Sequence, residues 1–130
     1  MFKNLEIFNM AQAMAKHAGQ RQAIAAQNVA NADTPDFKAR DIPEFSQSYR
    51  LSNGDQSGFK STRATHLHGA SETGQTEPFE DPNGVGSPNG NTVSLENEML
   101  KSLNAKRQHD RAMAIYKSSM NIIRATLSRS

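Results

Sequence analysis

No cysteine and no tryptophan occur among the 130 residues. The first absence excludes a disulfide framework, a thiol nucleophile and any Cys-ligated zinc or iron–sulfur centre. Long apolar runs are missing too. The longest, Ala112 to Tyr116, is five residues, against about 18 for a membrane span. Met1 to Gln20 lacks the apolar h-region of a cleavable signal, so any export is expected to use another route. Apolar residues make up 35% of the chain and mean hydropathy is −0.72, short of the roughly 45–50% apolar usage of ordinary domains. The chain suffices for one small domain with little material for a core of its own.

Charge of one sign is not in excess: fifteen bases against thirteen acids leave +2, which is no polycation for a phosphate backbone. Catalytic signatures are absent as well. No G-x-S-x-G elbow, P-loop, G-x-G-x-x-G or H-E-x-x-H occurs, so neither an enzyme nor a cofactor is expected. His66 and His68 form an H-x-H pair with no third ligand nearby in sequence, and are read as loop histidines. Glu77, Glu80 and Asp81 sit among Pro78, Pro82 and glycines, without rigid support for acid–base work, and are read as a solvated acidic loop.

Proline and glycine divide what is there. All five prolines and seven of eight glycines lie between Pro35 and Gly90. The ends therefore read as helical and the middle does not, giving an N-terminal helix and motif start over 1–34, an extended central segment over 35–91 and a C-terminal helix over 92–130, the two ends forming one structural domain.

Phe2 to Ala32 carries nine alanines and no proline. Small or apolar residues recur at Phe8, Ala11, Ala15, Ala18, Ala25 and Val29, three and four apart, with Gln22 interrupting and Ile7, Met10, Met14 and Ile24 alongside. This is an amphipathic helix of roughly 45 Å with a small-residue face that lets another helix approach closely. The second run starts at Ser94, a candidate N-cap with Glu96 and Glu98 in the first turn. Its apolar members are Leu95, Met99, Met113, Tyr116, Met120, Ile123 and Leu127, widened by Leu100, Leu103 and Ile115. They mark a helix of about 50 Å and its expected interface. Two such helices predict a mainly α fold, an antiparallel pair or coiled coil joined by a long Gly/Pro-rich loop. A pair buries one face of each, so the remaining apolar faces predict association with other chains.

The stretch from Asp36 to Asn91 carries eight acids against five bases. Arg40 to Tyr49 and Gly58 to Thr65 are expected as short extended pieces. The run SETGQTEPFEDPNGVGSPNGN has turn and linker chemistry, expected to be disordered in the free protein or ordered by neighbours. The seven bases of the last 39 residues face three acids and spread around the helix, which reads as a solvated face.

The exit from the first helix is the most informative segment. Asparagine is a poor interior helix residue, and Asn28 and Asn31 sit three apart. Either Asn31, Asp33 and Thr34 terminate the helix ahead of Pro35, or the amides bond to adjacent subunits. Arg21 to Asp41, RQAIAAQNVANADTPDFKARD, resembles the N-terminal signature of the bacterial flagellar rod and hook family, N-[IVL]-A-N-x-x-T-x-G-[FY]-K. Asn28, Val29, Ala30, Asn31, Thr34, Phe37 and Lys38 match it. Pro35, the tetrad Lys38-Ala39-Arg40-Asp41 and the closing helix are similar to a short proximal-rod member. Asp36 stands where the family has glycine, in a turn that wants positive φ, which Asp tolerates at some cost.

The resemblance implies a structural subunit, exported unfolded and uncleaved through the flagellar type III apparatus. It implies that the terminal helices form a coiled-coil layer and that many copies pack helically into the torque-transmitting rod of the basal body, in the periplasmic space. Implied partners are further copies, other rod subunits, and the MS-ring/rod adapter and export-gate proteins at the rod base. No nucleic acid, membrane span or small-molecule substrate is implied. Phe45 and Tyr49 fit an F-x-x-x-Φ export-gate element, or alternatively one side of a short strand. Another short proximal-rod subunit is the near alternative, and a small basic helical nucleic-acid-binding protein the distant one.

Overall fold

The computed structural model describes residues 2–54 and 77–129. In chain order the elements are α1 (Phe2–Ala30), β1 (Arg40–Asp41), α2 (Phe45–Gly54), β2 (Phe79–Glu80) and α3 (Leu95–Leu127). The long helices pack antiparallel, as the sequence predicts. The rings of Phe8 and Tyr116 lie 4.5 Å apart, Gln108 reaches the Met14 carbonyl and His17, and Lys101 meets Asp41 beside Arg21.

Small residues build the seam. On α1, Ala11, Ala18 and Ala25 are buried, and on α3 Glu98, Ala105, Ala112 and Ser119 are buried. Both sets recur every seven residues, the period that keeps one face toward a partner helix. Alanine side chains let the backbones approach closely, so the larger apolar residues of α3 lie beside the contact rather than in it. Met99, Met113 and Met120 each follow a seam residue by one position, a rotation of about 100°. Leu95, Met99, Leu100, Leu103, Met113, Ile122 and Leu127 are accordingly exposed, as are Leu5 and Ile7 on α1. Tyr116, Met120 and Ile123 are half-buried.

The described parts of the middle segment are more ordered than their composition predicts. Of the extended piece expected over Arg40 to Tyr49, only Arg40–Asp41 is strand, and Phe45–Gly54 is helix. Pro43 ends the strand, the Glu44 carbonyl accepts from the amides of Gln47 and Ser48, and the i,i+4 rings of Phe45 and Tyr49 pack at 5.4 Å. The short-strand alternative for these two residues is thereby corrected. Gly58 to Thr65, His66 and His68 lie outside the described residues.

The expected linker also folds back onto its own chain from residue 77 onward. β2 pairs antiparallel with β1, Arg40 opposite Glu80 and Asp41 opposite Phe79. The pairing continues through Asp81 N–H to Ala39 O at 2.8 Å, Thr92 N–H to Phe37 O at 3.0 Å and Asp36 N–H to Asn89 O at 3.0 Å. Backbone and polar side-chain bonds, rather than apolar burial, order it. Ser94 caps α3 with its carbonyl, which accepts from Glu98 N–H at 3.0 Å, and its hydroxyl makes no cap bond.

Candidate functional site

The chemistry concentrates where α1 ends. Asn28 is 1% exposed. Its Nδ2 donates to Arg40 O at 2.7 Å, and its Oδ1 accepts from Arg40 N–H at 3.1 Å. Its amide thus stands in for a peptide group and holds β1 against the helix. Asn31 stays local, donating to Gln27 O at 2.8 Å and accepting from the Thr34 hydroxyl at 3.2 Å. Both amides are used within the chain. Val29, Ala30, Thr34, Pro35 and Lys38 are exposed around this junction and Phe37 is half-buried.

A third asparagine, Asn91, completes the clasp from 60 residues away. It is 2% exposed, and its Nδ2 donates to the carbonyls of Asn31, Ala32 and Thr34 at 2.8, 2.9 and 2.8 Å. These carbonyls lie just beyond the last turn of α1. Its Oδ1 accepts from Val93 N–H at 2.8 Å. Lys38 Nζ donates to Gly90 O at 2.8 Å, and Thr92 Oγ1 accepts from Ala39 N–H at 2.8 Å. The sequence signal at Asn91 was turn chemistry alone, S-P-N-G-N, which names no distant partner.

The turn between them behaves as predicted. Asp36 has φ of 61°, in the Thr34-Pro35-Asp36-Phe37 turn closed by Phe37 N–H to Thr34 O at 3.3 Å. Opposite it, Gly90 has φ of 80°. A Cβ there would overlap the Asp36 carboxylate and lie 3.3 Å from its Cα, so both conformation and space call for glycine.

An ionic cluster joins four segments beside the clasp. Lys101 Nζ lies 2.5 Å from Asp81 Oδ2, 3.5 Å from Asp41 Oδ2 and 3.4 Å from Glu98 Oε1, while Arg21 Nε lies 3.4 Å from Asp41 Oδ1. Burial pushes the Asp81 carboxyl up, but the Lys101 hydrogen bond, the Asn83 N–H and the charges of Lys101 and Arg21 outweigh it and hold the group below its ordinary value. Burial pushes Lys101 down, and its bond to Asp81 with the charges of Asp41, Glu98 and Asp81 carries it above the ordinary lysine value. Asp81 is therefore no solvated loop acid, although Glu77 and Glu80 are exposed. Glu98 and Lys101 likewise leave the expected solvated face.

His17, which sequence reasoning passed over, is 6% exposed and links three elements. Its Nε2 donates to Pro43 O at 2.7 Å, and Gln108 Nε2 donates to its Nδ1 at 3.0 Å. The Phe45 ring meets its imidazole edgewise at 5.7 Å. Among the described residues no group of three or more His, Cys, Asp or Glu is placed to hold a metal ion, and no helix is long and apolar enough to cross a membrane. The arrangement positions chain segments.

Residues 10–38 match the family described as Flagella basal body rod protein. Over 128 residues, 96% of this chain and 95% of the relative, the chain is 30% identical to the flagellar basal body rod protein FlgB of Agrobacterium fabrum (strain C58 / ATCC 33970). The chain belongs to the FlgB family of flagellar basal body rod proteins. It is also 29% identical over 103 residues to FlgB of Aeromonas hydrophila, covering 78% of this chain and 77% of that one. The FlgB family is a structural component of the basal-body rod and not an enzyme family. Residues 10–38 hold the α1 half of the clasp; Asn91 and the ionic cluster's α3 members fall within the wider alignment to the Agrobacterium protein.

Proposed function

We propose that this chain builds the proximal rod by packing its helix pair sideways against further copies and other rod subunits, after export in an unfolded state. The observation that supports this most directly is the division of labour on α3. Its self-contact is made by Ala105, Ala112 and Ser119, while Met99 is 71%, Leu100 59% and Leu103 45% exposed. Large apolar side chains left outside a finished intrachain seam are material for a second contact, at roughly 25 cal/mol per Å2 buried. Heterologous contacts of this kind, repeated without closing, generate a helical tube able to carry torque.

Phe45 and Tyr49 are read as an export-gate element used before folding, because in the folded chain Phe45 packs against His17 and Tyr49. At the rod base the partners are the MS-ring/rod adapter and the export gate.

The test is complementation of a strain lacking this gene with Met99→Asp and Leu103→Asp. Normal synthesis, a normal monomer spectrum and no swimming are the expected result. Wild-type swimming with the variant present in purified basal bodies would overturn the assigned surface.

A further inference from the structure

A groove of about 450 Å3 runs beside the seam, between α1, the start of α2 and α3. Met14 and Phe45 give it an apolar lining, and Arg21, Arg107 and Arg111 line it with Glu44 as the one acid among the lining residues. Arg21 is already engaged by Asp41. Arg107 and Arg111 stand one turn apart on α3, exposed, without an ion pair or hydrogen bond among the described residues. The groove thus carries a surplus of positive charge over apolar side chains, which suits an extended segment with acids flanking an apolar residue.

This chain exposes such a segment. Glu77, Pro78, Phe79 and Glu80 are all exposed, Phe79 at 44%, and neither glutamate side chain has a partner among the described residues. β2 is Phe79–Glu80, and because successive side chains of extended chain point to opposite faces, Glu80 and Phe79 can meet opposite walls of the groove, Arg107 and Arg111 on one and Met14 and Phe45 on the other. β2 is paired with β1 of its own chain, and with that pairing made, Glu77 and Glu80 and, in the groove, Arg107 and Arg111 remain unmatched among the described residues. Residues 55–76 supply no surplus acid, since Asp55 and Glu72 are balanced by Lys60 and Arg63.

We propose that the Glu77–Glu80 segment of one copy docks into the Arg107–Arg111 groove of the next. The Glu80 carboxylate faces the two guanidinium groups on α3, and Phe79, on the other side of the segment, lies over Met14 and Phe45 on the opposite wall. Different surfaces of the two copies meet, so the contact propagates instead of closing. It rests on the reading of the chain as a self-assembling rod subunit, and it adds a salt-sensitive component to an association otherwise driven by apolar area.

The test is a reciprocal charge swap in the full chain, with self-association measured by sedimentation at low salt. Arg107→Glu with Arg111→Glu, and separately Glu77→Arg with Glu80→Arg, each weaken association about tenfold or more, and mixing the two variants restores it. Because the chain has no cysteine, a mixture of Glu80→Cys and Arg111→Cys chains also yields a mixed disulfide dimer under oxidation. Wild-type association by both swap variants, a mixture as weak as either alone, or loss of oligonucleotide binding with association untouched would each overturn the groove contact. If the swaps are silent while Met99→Asp abolishes association, the groove falls and the rod-subunit reading stands. If the wild-type chain does not self-associate and the Met99→Asp strain swims, both fall.

Discussion

Asn28 grips Arg40 by both sides of its peptide backbone, donating to the carbonyl at 2.7 Å and accepting from the N–H at 3.1 Å. A helix residue thereby does for β1 what a neighbouring strand would do, with its own side chain buried. That placement makes the contact asymmetric in energy: modest when made, costly when half broken.

Asn28→Ala should therefore lower stability by about 2–3 kcal/mol, read as a shift of the urea midpoint of the full chain. Asn28→Asp keeps the acceptor and loses the donor, leaving Arg40 O without its partner, and should do no better than alanine. An aspartate variant as stable as the parent would contradict the clasp.

Asn91→Ala removes one side chain that holds three carbonyls at the end of α1. Loss of about 2–4 kcal/mol is expected, together with faster proteolytic cleavage between residues 77 and 93 than in the α3 body. Gly90→Ala should release the same arm, because a Cβ there collides with Asp36.

The ionic cluster sets a pH window. Asp81 is held below its ordinary 3.8, so its contribution is complete above that value and disappears as pH falls through the lower folded-state value. Lys101 is raised above 10.5, so its contribution is complete below 10.5 and disappears as pH rises through the higher folded-state value. The stability difference between the parent and Asp81→Asn should be flat across neutral pH and shrink toward zero below about pH 4. Lys101→Met, which takes the cation from Glu98 and Asp81 and leaves Asp41 with Arg21 alone, should destabilise by about 2–3 kcal/mol at pH 7.

Met99→Asp and Ile123→Asp separate folding from assembly. Met99 is 71% exposed, so its variant should melt within about 0.5 kcal/mol of the parent and still fail to enter the rod. Ile123 is half-buried, and its variant should lose both stability and incorporation. Equal incorporation of both variants in isolated basal bodies would remove α3 from the subunit contact.

Helix spans were legible because alanine-rich, proline-free sequence and regular spacing are local signals: α3 begins and ends at the predicted Leu95 and Leu127, and α1 stops two residues short of Ala32. The positive φ at Asp36 was legible for the same reason, since a turn's demands are written in its own four residues. The face that α3 turns inward was not. Spacing counts Met99 as a better core residue than Ala105, whereas close helix approach selects the smaller side chain and leaves the larger one beside the contact. Asn91 and Asp81 were hidden by distance, because hydrogen-bond partners 57 to 60 residues away for Asn91 and 20 away for Asp81 leave no trace in their neighbours. α2 was missed because the rings at Phe45 and Tyr49 suit a strand face and a helix face alike.

Among the described residues the largest fully buried side chains are Glu98, Asn28 and Asn91, and all three are polar. A seam of alanines repeating every seven residues is nearly smooth: sliding one helix by a heptad, about 10 Å, would offer the same surface again. The polar clasps act as detents against that slip, since each fits at a single offset. Every copy then has the same end-to-end stagger, a uniformity that stacking identical parts into one shaft demands of its building block.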